Sequence, residues 1–247
     1  MSGLFYNLGS RVGPHFRRAK WIWRTIAGSE ADAIKVENDV GRDLAREVRR
    51  QLKPDHQRFD RLTAEEILNK VGSHLSACVV NKLRTFSFET VEGSEPNAFA
   101  LPGGFVFVTR SLVELCKWSE DEIAFILGHE MAHVIRRHAM NRLISSCAIS
   151  ATSRIAPGHG VLSGWLQKMG LQFLESAYSQ EMEFEADRFG VRLADAARYD
   201  KSGSMRLLTR LANLNKSTGS SYLGSYFSSH PLYKARINNI SRALAKR

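Results

Sequence analysis

The stretch His129-Glu130-Met131-Ala132-His133 decides what this chain of 247 residues is built around. It lies in an apolar run, Ile123 to Ile135, whose composition favours a helix. Residues four apart share one face of a helix, so the two histidines can direct their imidazoles at one metal ion. Glu130 follows the first histidine, where its carboxylate can reach a metal-bound water. The pattern H-E-x-x-H on a helix is typical of zinc-dependent peptidases, in which zinc activates water and a carboxylate takes the proton.

A second, acidic segment from Ser179 to Gly190 offers a third ligand. Glu183 and Asp187 are four residues apart and therefore share one helical face. Two histidines and one glutamate form a known catalytic zinc set, which predicts Glu183 as a ligand. Asp187 could accept the free ring N–H of a zinc-bound histidine and so fix its tautomer. Glu181 and Glu185 fall off this face, and we expect both to be solvated.

Four motifs, in the same order, resemble peptidase family M48, whose members include the HtpX, CAAX prenyl, Oma-type and BepA-type peptidases. They are the H-E-x-x-H motif, E-x-x-A-D at Glu183 to Asp187, the segment Pro96 to Gly104, and Ser229-His230-Pro231 followed by Arg236. The resemblance covers Glu65 to Leu244, which is most of the chain. It implies an α+β fold that is predominantly helical: a zincin-like metallopeptidase domain with a small sheet and an active-site helix.

The resemblance also implies roles for individual residues. One Zn²⁺ per chain would be held by His129, His133 and Glu183, as in gluzincin-type peptidases. Glu130 would be the general base. His230 would lie near the active site, where it could stabilise the oxyanion or contact the metal.

The segment Asn97-Ala98-Phe99-Ala100 has a possible use in substrate binding. A peptidase must hold its substrate extended, and an exposed edge strand does this by main-chain pairing. From the residues alone, an ordinary hairpin turn explains the segment equally well. The resemblance favours a strand beside the active-site cleft.

Together these features predict a zinc-dependent endopeptidase that acts on polypeptides, including misfolded or membrane-associated ones, in protein quality control at or near a membrane. The alternative is a non-catalytic zinc protein that binds membranes or client proteins. Its structural site would close the fourth metal position with a protein ligand. Glu130 argues against this alternative, because a structural site needs no base. The motifs expected of a deformylase or an aminopeptidase are not found in the sequence.

Composition limits the domain count and the compartment. With 43% hydrophobic residues, a chain of 247 residues can bury a sizeable core. The cysteines Cys78, Cys116 and Cys147 are odd in number and widely spaced, which predicts core thiols in a reducing compartment rather than a disulfide framework. No stretch reaches the roughly 20 apolar residues that a membrane-spanning helix needs. We therefore expect one soluble or peripheral domain over residues 30–247.

Residues 1–29 form a basic N-terminal extension that contributes strongly to the formal net charge of +10. Apolar residues such as Ile22 and Trp23 interleave with its arginines at helical spacing. Three interpretations remain open: a helix packed on the body, an amphipathic helix on an anionic membrane, or a transit peptide. We expect a location on the cytoplasmic side of a membrane, with mitochondrial import as the alternative. The basic residues match no nucleic-acid-binding motif, so we expect no nucleic-acid partner.

Periodicity and capping signals predict the other elements. Helices are predicted at 30–53, from Thr63 to about residue 80, at 111–117, 177–197, 205–214 and 231–245, with strands at 83–91 and 105–108. Ser119 and Glu122 predict a capping box at the start of the active-site helix. Residues 155–178 are rich in glycine and predict a lid or a membrane-contact loop, with a buried helical hairpin as the alternative. His138 lies five residues after His133, off the zinc face of a continuous helix, which predicts a surface position.

Overall fold

The computed structural model describes residues 29–52, 58–143, 178–217, 230 and 233–245. The elements in chain order are α1 (Glu30–Gln51), α2 (Arg58–Ala77), β1 (Ser87–Val91), β2 (Ala98–Leu101), β3 (Phe105–Thr109), α3 (Arg110–Leu115), α4 (Glu120–Ile135), α5 (Gln180–Ala196), α6 (Ser202–Ser217) and α7 (Tyr233–Ala245). Residues 138–143 are also helical. The predicted class, a predominantly helical α+β fold with a small sheet, is confirmed.

A three-stranded sheet with the order β1-β3-β2 forms the smaller part of the fold. β1 runs parallel to the central strand β3, and β2 runs antiparallel to it. A short 3₁₀ turn, Pro102–Gly104, joins β2 to β3. Within the described ranges β2 pairs on one side only, so it is an edge strand there.

Helix α4 lies in the centre of the molecule. Every residue from Glu122 to Val134 is buried, and the helix packs against α2, α5, α6 and β2. A helix that is apolar on all sides is suited to such a position, because each face meets another element. The H-E-x-x-H motif is therefore carried by one of the most firmly held elements of the fold.

Helices α4 and α5 approach closely where two glycines meet. A Cβ atom on Gly190 would lie 2.9 Å from the backbone nitrogen of His129, and one on Gly128 would lie 3.1 Å from Gly190 Cα. A side chain at Gly190 would force the helices apart, and one at Gly128 would fit only if the neighbouring backbone shifted by a few tenths of an ångström. The close approach lets the acidic side chains of α5 reach the histidines of α4.

The element boundaries that differ most from the sequence prediction are the starts of α2 and β1. Helix α2 begins at Arg58, so Thr63 lies inside it rather than at its N-cap. The residues between Pro54 and Thr63 include no proline or glycine that would stop the helix from extending toward the N-terminus. The strand predicted from Leu83 forms only over Ser87–Val91, where β3 offers a partner.

The capping box predicted at the start of α4 is wrong. Ser119 is the N-cap residue, but its side chain makes no capping hydrogen bond. Glu122 is buried and accepts hydrogen bonds from both Nη atoms of Arg210 on α6, at 2.7 and 3.1 Å. A buried carboxylate needs a cationic partner, which Arg210 provides. Glu122 is therefore not available to accept a hydrogen bond from the backbone of Ser119.

Some predictions concern residues outside the described ranges: those for the extension up to residue 28, for residues 155–177 and for Cys147. Of the other two cysteines, Cys116 is buried, Cys78 is partly buried, and both are free thiols. This agrees with their prediction as core thiols. Among the helices that the structure describes, none combines the length and the apolar character needed to cross a membrane.

Candidate metal centre

Four buried side chains with metal-binding atoms meet between α4, α5 and the start of the C-terminal segment. They are His129, His133, Glu183 and His230, and one ligand atom of each lies within 4.8 Å of all the others. The Nε2 atoms of His129 and His133 are 3.1 Å apart. Glu183 Oε1 lies 3.4 Å from His133 Nε2. The i, i+4 spacing brings the two histidines to one face of α4, as the sequence predicts.

The protonation states of His133 and Glu183 suit zinc, which binds imidazole nitrogen and carboxylate oxygen. Burial lowers the pKa of His133 well below its usual value, which keeps the ring in the neutral form that binds metal. Burial acts to raise the pKa of Glu183, but His230 and Arg236 together lower it well below its usual value. The carboxylate is therefore ionised, and neither side chain has to lose a proton before a metal binds.

Asp187 lies directly behind His129. Its Oδ1 atom is 3.0 Å from His129 Nδ1, the ring nitrogen that faces away from the other donors. Burial acts to raise the pKa of Asp187, but Arg236 and His129 lower it. An ionised carboxylate in this position can accept the Nδ1 proton and leave Nε2 free to bind.

Arg236 neutralises the acidic charge of the site. It is fully buried, and its guanidinium donates to Asp187 at 2.7 and 3.0 Å. Its Nη1 atom lies 3.0 Å from Glu183 Oε2. The sequence places Arg236 in a motif but gives it no partner, because 49 residues separate it from Asp187.

The predicted surface position of His138 is wrong. The side chain is only 6% exposed, and its Nδ1 atom lies 3.1 Å from Nδ1 of His133. The prediction assumed a continuous helix, whereas α4 ends at Ile135 and the chain turns through Arg137, whose φ angle is 62°. This turn brings His138 back against the rear of the His133 ring.

Glu185 is partly exposed, in keeping with its predicted solvated position, but it also contacts two side chains. Its Oε2 atom lies 3.4 Å from His138 Nε2, and its Oε1 atom lies 3.0 Å from Arg136 Nε. Its side chain is 38% exposed, so it sits at the rim of the site. Glu181, in contrast, is exposed, as predicted.

Tyr178 is a site residue that the sequence analysis missed. Its ring stacks on the His133 ring with centroids 3.8 Å apart and an interplanar angle of 17°. The guanidinium of Arg142 lies 4.1 Å from the centroid of the tyrosine ring. The one local signal is that Tyr178 immediately precedes Ser179, which caps α5. The stack restrains the plane of the His133 ring.

Glu130 lies beside the donor set rather than in it. It is buried, and within the part of the chain that the structure describes its Oε1 atom has no hydrogen-bond partner. His230 Nε2 lies 3.5 Å from this atom. Burial raises the pKa of Glu130. A buried carboxylate with a raised pKa is suited to accepting and returning a proton.

The segment 97–100 lies in the edge strand β2 and its approach. Thr109 N donates to Asn97 O at 2.9 Å, which makes this pair a hydrogen-bonded one. Because antiparallel pairs alternate, the main-chain groups of Ala98 and Ala100 point away from β3. Both alanines are buried, and β2 packs against α4. The strand is thus placed next to the helix that carries the two histidines.

A helix-borne H-E-x-x-H motif and a buried acidic third donor define a metallopeptidase-type site, and comparison with known proteins agrees. The model of peptidase family M48 matches residues 62–244, and the chain belongs to this family. The resemblance found from the four sequence motifs is thereby confirmed.

Three relatives are similar over much of the chain. The mitochondrial metalloendopeptidase OMA1 of Schizosaccharomyces pombe is 34% identical over 160 residues, covering 64% of this chain and 47% of the relative. The protein of the same name in Saccharomyces cerevisiae is 27% identical, covering 98% of this chain and 71% of the relative. The metalloprotease LoiP of Escherichia coli is 26% identical over 179 residues, covering 70% of this chain and 66% of the relative. The chain spans about half the length of the fission-yeast relative.

Proposed function

We propose that this protein is a zinc-dependent endopeptidase that hydrolyses peptide bonds. The observation that carries the proposal is the buried donor set of His129, His133 and Glu183 with the buried carboxylate of Glu130 beside it. Membership in a peptidase family and the names of the relatives, which are a metalloprotease and metalloendopeptidases, support the same function.

In the proposed mechanism the two histidines and Glu183 hold the metal. A bound zinc ion supplies Lewis acidity, which polarises the scissile carbonyl and lowers the pKa of water. Glu130 accepts a proton as water attacks the carbonyl carbon, and it then delivers this proton to the leaving amine. Its raised pKa suits both steps, because a catalytic group works best when its pKa lies near the operating pH.

An extended substrate would pair with β2. The main-chain groups of Ala98 and Ala100 point away from β3, toward the side on which no described strand pairs with β2. Both residues are buried in the structure, so this edge would have to be uncovered before a substrate could pair with it. Main-chain pairing at an edge strand holds a peptide extended with little demand on its sequence. We therefore propose that Asn97-Ala98-Phe99-Ala100 positions the substrate beside α4.

His230 has two candidate roles, and the geometry favours metal contact. Its Nδ1 atom lies 2.9 Å from Glu183 Oε1 and 3.3 Å from His129 Nε2, among the other donor atoms. Catalytic zinc sites keep one position open. With His230 as a fourth donor that position is taken, so the enzyme would have to move His230 aside before water and substrate can bind.

The same observation favours a second candidate function. Four protein donors around one metal are typical of structural zinc sites. A non-catalytic zinc protein that binds membranes or client proteins would therefore also fit the closed donor set. Glu130 separates the two candidates, because a structural site has no need of a buried carboxylate oxygen that accepts no hydrogen bond from the described residues.

Cleavage of casein, with and without a zinc chelator, tests the proposed function. We expect the purified protein to cleave casein, chelation to abolish cleavage, and added zinc to restore it. Cleavage that survives complete removal of the metal would contradict the proposal. A protein that holds zinc tightly, unfolds when it is removed and never cleaves casein would instead support the structural alternative.

Replacing His230 with alanine separates its two roles. If His230 contacts the metal, the variant should bind zinc more weakly but cleave casein at least as fast as the unmodified protein when zinc is saturating. If His230 stabilises the oxyanion, zinc affinity should be unchanged while kcat falls about 10²–10³-fold. We expect the first result, measured by chelator competition and casein turnover on the same preparations. The second result would overturn the role in metal contact.

We further propose polypeptide substrates that are misfolded or membrane-associated, in a role in protein quality control. The names of the two fungal relatives place those proteins in mitochondria. A mitochondrial location and a location on the cytoplasmic side of a membrane both stay predictions for this chain, as does peripheral membrane contact through residues 1–29. Fractionation of cells with the full chain and a chain lacking residues 1–28 would test that contact.

A further inference from the structure

The two histidines of the H-E-x-x-H motif have different partners at their Nδ1 atoms. Both direct Nε2 toward the donor set, and both direct Nδ1 away from it. A carboxylate, Asp187, faces Nδ1 of His129 at 3.0 Å. Another imidazole, that of His138, faces Nδ1 of His133 at 3.1 Å. The contact between His138 and His133 has no part in the mechanism proposed above.

The direction of this hydrogen bond follows from metal binding through Nε2. A neutral His133 that binds metal through Nε2 carries its proton on Nδ1 and must donate it. His138 then accepts through Nδ1, which places its own proton on Nε2. That atom faces Glu185 Oε2 at 3.4 Å. The two hydrogen bonds therefore run in one direction: His133 donates to His138, and His138 donates to the carboxylate of Glu185.

The fold holds His138 in this position from two sides. Arg137, in the turn before it, donates from Nε to Glu37 on α1 at 2.7 Å, and Glu37 is almost completely buried. Arg136 Nε lies 3.0 Å from Glu185 Oε1 and holds the carboxylate that faces His138. Both arginines thereby place His138 and its partner.

We propose that His138 and Glu185 are positioning residues that fix the tautomer and orientation of His133 for metal binding. The proposal rests on the proposed function, because it takes His133 as a zinc ligand. Groups behind a metal-bound histidine raise its basicity and hold its ring plane, and their loss typically weakens metal affinity about 10–100-fold. The His138–Glu185 pair would thus do for His133 what Asp187 does for His129.

Zinc affinity, measured by competition with a chromophoric chelator and without any substrate, tests this proposal. We expect His138→Leu, which removes the acceptor, to weaken zinc binding about 10–100-fold. His138→Gln keeps a carbonyl acceptor and should recover most of the affinity. Glu185→Gln should weaken binding by a smaller factor, and Glu181→Gln, an exposed acid on the same helix, should leave it unchanged.

A purely structural role would give a different pattern. It would lower the thermal midpoint of the metal-free protein without changing the zinc affinity of the folded fraction. Zinc affinity within twofold of the unmodified protein in His138→Leu, or in Glu185→Gln if the former does not fold, would overturn the inference. If the unmodified protein itself binds no zinc, the proposed function fails instead, so the two failures are distinguishable.

Discussion

Glu130→Gln is expected to abolish casein cleavage while leaving the zinc content unchanged. Glutamine has nearly the same shape but cannot accept the proton from the attacking water. A positioned general base contributes about 10²–10⁴-fold to the rate, and we expect kcat to fall by at least that factor. Zinc should be retained, because Glu130 is not one of the four clustered donors. Elemental analysis and casein turnover on the same samples measure both quantities.

A matched control for this variant is Glu120→Gln. Glu120 lies in the first turn of the same helix, where it pairs with Lys70 at the surface. Removing its charge should change neither zinc content nor turnover. If Glu130→Gln cleaves casein at the unmodified rate, Glu130 is not the base. If it loses zinc, the carboxylate takes part in metal binding instead.

The largest effect on stability is expected from Arg236→Met. Arg236 lies fully buried between Glu183 and Asp187, and its removal leaves two buried carboxylates without their cation. Breaking a buried ion pair from one side typically costs about 3–5 kcal/mol. We expect the free energy of unfolding of the metal-free protein to fall by this amount, measured in urea. Zinc should recover part of the loss, because the metal also neutralises the carboxylates.

The pH dependence of stability supplies a second measure of the ion pair between Asp187 and Arg236. The native pKa of Asp187 is lowered, chiefly by Arg236 acting against burial. Stability from this group is therefore present above the ordinary aspartate pKa and is lost as the pH falls toward the lowered native value. In Arg236→Met this loss of stability in acid should become smaller.

Arg242→Met is the matched control, because Arg242 lies exposed in the last turn of the same helix. Its effect on the unfolding free energy should stay within about 0.5 kcal/mol. An Arg236→Met variant as stable as the control would mean that the two carboxylates find other partners, and that the arginine is not their main counter-ion.

The parts of the site that depend on local spacing could be predicted from the sequence. His129 and His133, and likewise Glu183 and Asp187, are i, i+4 pairs, and a helix places such pairs on one face whatever surrounds it. The helical form of the apolar run Ile123 to Ile135 followed from its composition. These predictions needed only the periodicity of one element.

The parts of the site that depend on turns and distant contacts could not be predicted from the sequence. His138 reaches His133 only because the chain leaves the helix at Arg137, and no turn residue marks that point in the sequence. Arg236 meets Asp187 across 49 residues. Glu122 pairs with Arg210, which lies 88 residues away, instead of capping the helix as predicted. In each case a buried polar group takes the partner that tertiary packing supplies.

The central claim is that His129, His133 and Glu183 hold one catalytic zinc ion. Elemental analysis of the unmodified protein and of Glu183→Ala, after identical reconstitution and dialysis, tests it most directly. We expect about one zinc ion per chain in the unmodified protein, as for a single catalytic site, and almost none in the variant. An unmodified protein without zinc, or a Glu183→Ala variant that retains all of it, would contradict the ligand assignment.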